Sequence, residues 1–243
     1  ADAVETRERV AVFGDYDVDG ACSSALMQRW LAHHGVAGRI YIPDRIFEGY
    51  GPNPAAIEAL VKDGAKLIVT VDCGTTSFEP LAVARKLGAD VIVIDHHQAD
   101  ERLPEVAALV NPNRQDDLSG LGHLCAAGVV FMTLVATTRE LRRRGHYGKD
   151  RPPPDLMGML DLVALGTVAD VAQLRGLNRA YVSQGLKVMA KRANVGMAAL
   201  IDAARLNRPP SCSDLGFALG PRINAGGRVG ESSLGVRLLT CDI

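Results

Sequence analysis

Aromatic side chains are scarce in this 243-residue chain, at 5%, with a single tryptophan. Proteins that hold single-stranded nucleic acid combine basic grooves with stacking rings, and little of that surface is available here. Charge does not make up for it. The 27 basic and 28 acidic residues leave a net charge of −1, which excludes a broad electrostatic grip on nucleic acid and permits a local one, because bound divalent cations cancel an acidic cluster. The five cysteines (Cys22, Cys73, Cys125, Cys212 and Cys241) form no C-x-x-C pair and are odd in number. That argues against a zinc ribbon or a disulfide framework and for a reducing, cytoplasmic compartment. No apolar run has the length of a membrane span, and the polar opening A-D-A-V-E-T-R-E-R does not read as a signal peptide. Internal repeats and low-complexity tracts are missing. So are a Walker A sequence, a G-x-S-x-G and a strand-linked G-x-G-x-x-G, and the nucleotide-kinase, serine-hydrolase and Rossmann readings therefore lack their residues.

Aspartate at strand ends is what the chain does have. V-A-V-F (10–13) is a β-branched and aromatic run bounded by Gly14, a short buried strand. Asp15, Asp17 and Asp19 follow at alternate positions. In an extended segment alternate side chains point the same way, so at least two of these carboxylates should converge. Like charges held that close call for a raised pKa or a bound cation, and a metal site is the reading we favour. Two others compete. D-x-D-x-D-G opens like an EF-hand loop, but its twelfth position is Leu26 instead of a bidentate Glu, and a strand enters instead of a helix. Alternatively Asp19 caps a helix starting near Ala21, which leaves two aspartates unexplained.

The pattern then repeats. A helix over 21–34 closes at Gly35, and a strand over 39–43 leads into D-R-I-F-E-G-Y-G-P-N. Asn53 or Pro54 opens a helix to about Lys62. L-I-V-T-V (67–71) ends in Asp72, Pro80 starts a helix closed by Gly88, and V-I-V-I (91–94) ends in Asp95-His96-His97. A fifth strand, A-L-V (108–110), adds Asn111 and Asn113. Strands and helices alternating at this spacing imply an α/β fold, a parallel sheet with helices on both faces. Residues just after each strand then collect along one edge, where Asp15, Asp17, Asp19, Asp72, Asp95, His96 and His97 meet. From about His123 the character is mostly helical, over roughly 123–144, 155–164, 178–192, 195–205 and 213–219. R-R-R-G-H-Y-G-K-D-R-P-P-P (142–154) reads as a basic, flexible connector.

Several aspartates with one imidazole suit Mn²⁺ or Mg²⁺ better than structural zinc. Four or more carboxylates exceed the need of one ion and favour a pair, which clamps the attacking and leaving oxygens of a phosphoryl centre. The chemistry implied is phosphoester hydrolysis. His96 and His97 could instead cap the next helix, and Asp170, in L-G-T-V-A-D-V, could cap or face solvent. In G-P-R-I-N-A-G-G-R (220–228), Gly226 and Gly227 would let backbone approach a phosphate, with Arg222, Arg228 and Asn224 as donors. A surface loop with incidental arginines is the plainer alternative.

These residues resemble the RecJ family of single-strand-specific 5′→3′ DNA exonucleases, in the DHH phosphoesterase superfamily. G-D-Y-D-V-D-G, V-D-C-G, D-H-H, T-V-A-D and G-P-R-I-N-A-G-G-R resemble its five ordered motifs, from about residue 9 onward. The resemblance implies a sheet half over residues 1–150 and a helical half over 151–243. It implies two Mn²⁺ or Mg²⁺ ions held by Asp17, Asp19, Asp72, His96 and Asp170, with Asp15 as a further ligand or a neighbour of one. By the same resemblance His97 faces the scissile phosphate, Asp95 orients its neighbours, and Arg222, Asn224, Gly226, Gly227, Arg228 and Arg45 hold the DNA backbone. Single-strand-binding proteins or helicases are partners implied by resemblance alone. Some branches, notably the pyrophosphatases, carry a histidine where Phe13 stands, and V-A-Q-L follows Asp170 where V-V-P-L is expected. The family continues into a DHH-associated domain and an oligonucleotide-binding fold, whereas this chain stops at Ile243 in what reads as a helix, as a truncated form would. The alternative enzyme is a DHH phosphodiesterase for short oligonucleotides or cyclic dinucleotides. A catalytically silent binding module would lack acids from the cluster.

Overall fold

The computed structural model describes residues 1–241. Three short runs rich in β-branched residues, V-A-V-F, L-I-V-T-V and D-V-I-V-I, become the central strands, and G-R-I-Y and A-L-V join at the two edges. In order the elements are α1 (Asp2–Glu5), β1 (Val10–Phe13), α2 (Val18–His33), β2 (Gly38–Tyr41), α3 (Pro54–Lys62), β3 (Leu67–Val71), α4 (Phe78–Lys86), β4 (Asp90–Ile94) and β5 (Ala108–Val110). The sheet order is β2-β1-β3-β4-β5 and every pairing is parallel. Phe13, Tyr41 and Thr70 lie in register across three strands, as do Ile94 and Val110 across the last pair. All five strands therefore end on one edge of the sheet.

Alternation along each strand feeds two cores. Val10, Val12, Val69, Val71 and Ile94 join the larger core, while Ala11, Phe13, Ile68, Val91 and Val93 face the smaller one, under α3 and α4. Helices on both faces are what the sequence led us to expect. The larger core also takes in the C-terminal helices α5 (Ala126–Arg143), α6 (Leu160–Ala169), α7 (Gly176–Met189), α8 (Val195–Ala203), α9 (Cys212–Asp214), α10 (Gly220–Val229) and α11 (Leu234–Leu239). Buried residues from Val4 to Leu239 share the larger core, which spans both halves of the chain, while the smaller core draws on the sheet half alone.

Several boundaries moved, for local reasons. The first long helix starts at Val18, not near Ala21, because Asp17 and not Asp19 is its N-cap, accepting from the Gly20 amide at 2.9 Å. Pro80 sits inside the first turn of α4, which begins two residues earlier, in a turn that needs no proline N–H. The basic connector is tied down. Arg144 pairs with Glu140, Asp2 and Glu5, Tyr147 Oη and His34 Nε2 are 2.8 Å apart, and His33 Nε2 is 2.9 Å from Pro152 O. The expectation that the chain ends in a helix at Ile243 lies outside the described residues; α11 ends at Leu239. Among the described residues no helix is long and apolar enough to cross a membrane.

The largest correction concerns G-P-R-I-N-A-G-G-R, expected to be a phosphate-binding loop. It is helix α10, with Pro221 in the first turn. Its glycines serve packing: a Cβ on Gly227 would lie 2.9 Å from Tyr16 Cδ2 and 3.0 Å from Tyr16 O. Asn224 does not face outward, because its Oδ1 accepts the Val18 amide at 3.2 Å and so adds a second cap to α2. Arg222 donates to Ala218 O of the preceding turn at 2.7 Å. Since Gly227 sets how closely α10 approaches the Asp15–Asp17 turn, we expect Gly227→Ala to destabilise the fold by about 1–3 kcal/mol and to weaken Mn²⁺ affinity. Thermal unfolding with and without Mn²⁺ checks both.

Candidate metal centre

The carboxylates converge, by a different route from the one alternation suggested. Asp15 and Asp17 lie in the turn from β1 to α2, and Asp19 is already in the first turn of the helix. Oxygens of Asp15, Asp17 and Asp72 come within 4.8 Å of one another, as do ligand atoms of Asp19, His96 and Asp170, and of Asp72, His96 and His97. Asp72 and His96 each belong to two trios, so the six expected ligands form one continuous cluster.

Each side chain is held by its element. Asp19 Oδ2 and Oδ1 accept the amides of Ala126 and Ala127 at 2.6 and 2.9 Å. These are the first residues of α5, whose N-cap Cys125 provides no side-chain bond, so Asp19 caps a helix distant in sequence and favours its dipole. Gly166 makes room: a Cβ there would lie 2.8 Å from Asp19 Oδ1. Asp72 follows β3 in the left-handed region, φ 61°, which aspartate tolerates better than most residues. Its amide donates to Ile94 O, and its carbonyl accepts from Tyr50 Oη at 3.0 Å. Asp170 is the C-cap of α6.

The D-H-H triplet divides its labour. Asp95, 1% exposed, accepts from the amides of His96, His97 and Thr75 and from His97 Nδ1 at 2.7 Å. Burial alone would raise its pKa; hydrogen bonds from His97 and Thr75 outweigh burial and hold it well below the usual carboxylate range. The same bond raises the His97 pKa. Asp95 is thus saturated and outside all three trios, a positioning residue for a half-exposed His97. His96 differs, since burial lowers its pKa and keeps the ring neutral. Its Nε2 is 3.2 Å from Asp72 Oδ1 and 3.9 Å from Asp19 Oδ2, with Nδ1 3.9 Å from Asp170 Oδ2.

Protein groups compensate the charge of the cluster only in part. Burial, then the Asp17 charge, pushes Asp15 up to about 6. Asp19 and Asp170 reach about 6, with burial the main cause in both. Asp72 is raised well above the usual range by burial and by Asp19, Asp17, Asp15 and Asp95 together. Asp72 Oδ1 is buried without a hydrogen-bond partner among the described residues, its approach to His96 lacking hydrogen-bond geometry. An orphaned carboxylate oxygen among four other aspartates and one neutral imidazole is the donor set of Mn²⁺ or Mg²⁺. The residues present fit that group.

Arg45, Arg222 and Arg228 all remain open to solvent, and Arg45 and Arg228 line one cavity with Tyr16, Asp44 and Gly227. Arg45 lies over the Tyr16 ring, 4.9 Å from its centroid. Sequence reasoning missed Tyr50, whose Oη is 3.4 Å from His97 Nδ1. It also missed Thr75 and left Asn111 and Asn113 without roles. Asn111 Nδ2 donates to Thr75 Oγ1 and His97 O, and Asn113 Nδ2 to His96 O at 2.5 Å. Both asparagines sit just past β5, the signal that marked the aspartates.

A family model, "DHH family, N-terminal domain", matches residues 9–167. Single-stranded-DNA-specific exonucleases RecJ are similar over nearly the whole chain. That of Salmonella typhimurium is 43% identical over 96% of this chain and 41% of its own length, and that of Escherichia coli is 42% identical over 96% and 41%. The chain spans about two fifths of the length of these relatives. A crystal structure of exonuclease RecJ bound to manganese superposes with a TM-score of 0.86 at 36% identity, over 99% of this chain and 58% of that one. RecJ in complex with Mn²⁺ from Thermus thermophilus gives 0.80 at 34%, over 100% and 33%.

Proposed function

The chain belongs to the DHH family, and from that premise we propose that it is the catalytic part of a metal-dependent exonuclease that hydrolyses phosphodiester bonds of single-stranded DNA from the 5′ end, in DNA repair and recombination. The observation that carries this reading is the orphaned, buried Asp72 Oδ1 within a cluster of aspartates and a neutral His96. RecJ relatives named for single-stranded DNA, and RecJ structures bound to manganese or in complex with magnesium, support the substrate and the cation. Free Cys22, Cys73, Cys125 and Cys212 are in keeping with a reducing, cytoplasmic setting.

Asp15, Asp17 and Asp72 would hold one divalent cation and Asp19, His96 and Asp170 the other, with Asp72 between them. Ions so placed would polarise the phosphoryl oxygens, activate an attacking water and offset leaving-group charge. The protein's own part is orientation and proton supply. Asp95 and Tyr50 fix the His97 ring, and the Asp95 bond favours its protonated form, so His97 can donate to a phosphate oxygen or to the leaving group. Arg45 and Arg228 would hold the phosphate on the Asp15–Asp17 side.

Hydrolysis assays decide the matter. We expect Mn²⁺-dependent release of mononucleotides from 5′-phosphorylated single strands, faster than from duplex. Faster turnover of dinucleotides or cyclic dinucleotides than of longer strands would favour the alternative phosphodiesterase. No hydrolysis of any phosphodiester with Mn²⁺ bound would overturn both.

A further inference from the structure

The acid cluster has a cavity on each flank. The Arg45–Arg228 cavity, about 280 Å³, adjoins Asp15 and Asp17 through Tyr16. Beyond the opposite flank is one of about 290 Å³, walled by His96 and Asp170 and closed by His123, Gln173 and Arg175. The second lies between the loop leading into α5 and the turn from α6 to α7.

This turn carries features that folding alone does not explain. The amides of Val171 and Ala172 close α6 onto Val168 O and Thr167 O, which forces Val171 into the left-handed region at φ 57°. Glycine is the usual residue at such a helix end, and a β-branched side chain there is strained. Packing gives nothing back, because Val171 is 87% exposed. Leu174 is 43% exposed two residues before the start of α7, so two apolar side chains stand in solvent beside the acid cluster. Across the cavity, both ring nitrogens of His123 are buried and neither has a hydrogen-bond partner among the described residues. Arg175 is exposed, and its guanidinium makes no ion pair or hydrogen bond among the described residues. An exposed cation and an amide beside an apolar surface match a nucleotide, which offers phosphate oxygens and a flat base together.

We propose that this cavity is a second nucleotide subsite. Arg175 and Gln173 take the phosphate next to the scissile one, on the flank away from Arg45, with His123 in the wall behind them, and Val171 and Leu174 lie against the base. The subsite rests on the exonuclease reading above: a strand whose scissile phosphate is at the cluster must leave on one side, and the shared wall of His96 and Asp170 makes this cavity the adjoining space. It also gives the chain a local grip on DNA that its net charge of −1 does not supply.

Fluorescence anisotropy of a labelled, 5′-phosphorylated oligothymidylate tests this, with Ca²⁺ present to suppress turnover. Arg175→Gln should weaken binding about tenfold, the loss of one charge-assisted contact. It should also flatten the slope of log affinity against log salt by about 0.7, the value of one single-strand phosphate contact. Arg175→Lys should restore the slope. Lys191→Gln, the same charge loss at the far end of α7, should change neither quantity. Val171→Asn should raise the unfolding midpoint by a few degrees, since Asn tolerates the left-handed region, and weaken binding with the slope intact. Mn²⁺ titration calorimetry should give wild-type affinity for Arg175→Gln. Wild-type affinity and slope in Arg175→Gln would overturn the subsite alone. If the unaltered protein binds no single strand, the exonuclease reading falls and the subsite with it.

Discussion

Asp72→Asn is expected to lower the rate of phosphodiester hydrolysis by about 10³-fold or more, while making the metal-free protein more stable. Both effects follow from one geometry. Asp72 is 3% exposed, its Oδ1 lacks a hydrogen-bond partner among the described residues, and four other aspartates raise the cost of ionising it. Asparagine keeps the shape, tolerates φ 61°, and retains the backbone bonds to Ile94 and Tyr50. It brings no charge. Without metal the substitution therefore removes a strained group, a gain of about 1–3 kcal/mol, or roughly 2–4 °C per kcal/mol in a chain of this size. With metal it removes the oxygen donor shared by two of the three ligand trios. Cation catalysis is worth several kcal/mol, and each 1.36 kcal/mol is tenfold in rate. Calorimetry of Mn²⁺ binding, thermal unfolding and turnover in Mn²⁺ check the three parts. Near-normal turnover would show that Asp72 is not a ligand.

Which parts of this site were readable in advance follows from which interactions are local. Asp72 and Asp95-His96-His97 were legible because a strand's end is marked by its own apolar run, and parallel strands bring their ends to one edge whatever the loops do. The helical state of G-P-R-I-N-A-G-G-R was not legible. Glycine has poor helix propensity, and what overrides it is the Tyr16 side chain, more than 200 residues earlier, against which only a bare Cα fits. The same holds for Asn224, whose amide looks like a ligand donor until the Val18 amide is found beside it. Asp19 was placed in the cluster correctly but for an incomplete reason, since its carboxylate is held by the start of α5. Tyr50 gave no periodic signal, because it lies in an irregular loop and acts through contacts with Asp72 O and His97.

Metal and pH are expected to act on stability in opposite directions, and that opposition is the sharpest test of the cluster as a cation site. Asp15, Asp19 and Asp170 have folded-state pKa values of about 6, against 3.8 for an ordinary aspartate. Between these values the folded chain binds more protons than the unfolded one, so stability falls as pH rises. The unfolding midpoint of the metal-free protein should accordingly decline as pH rises above about 4, with Asp72, also raised well above the usual range, adding to the fall. Asp95 pulls the other way, since its folded pKa is depressed, but its contribution is complete above about pH 4 and is lost only below that. Asp161, also at about 6 through burial, lies outside the ligand trios; it lowers both curves alike and cancels from their difference. Saturating Mn²⁺ reverses the sign for the ligands, because coordination requires ionised carboxylates and a neutral His96. The gap between Mn²⁺-bound and metal-free midpoints should therefore widen from pH 5 to pH 8. At a thousandfold excess over Kd it should reach about 4 kcal/mol, or roughly 10 °C. Differential scanning fluorimetry in EDTA and in Mn²⁺ across that range gives the answer. A gap that stays constant with pH, or a metal-free midpoint that climbs between pH 4 and pH 6, would mean that these carboxylates are not the groups the cation neutralises.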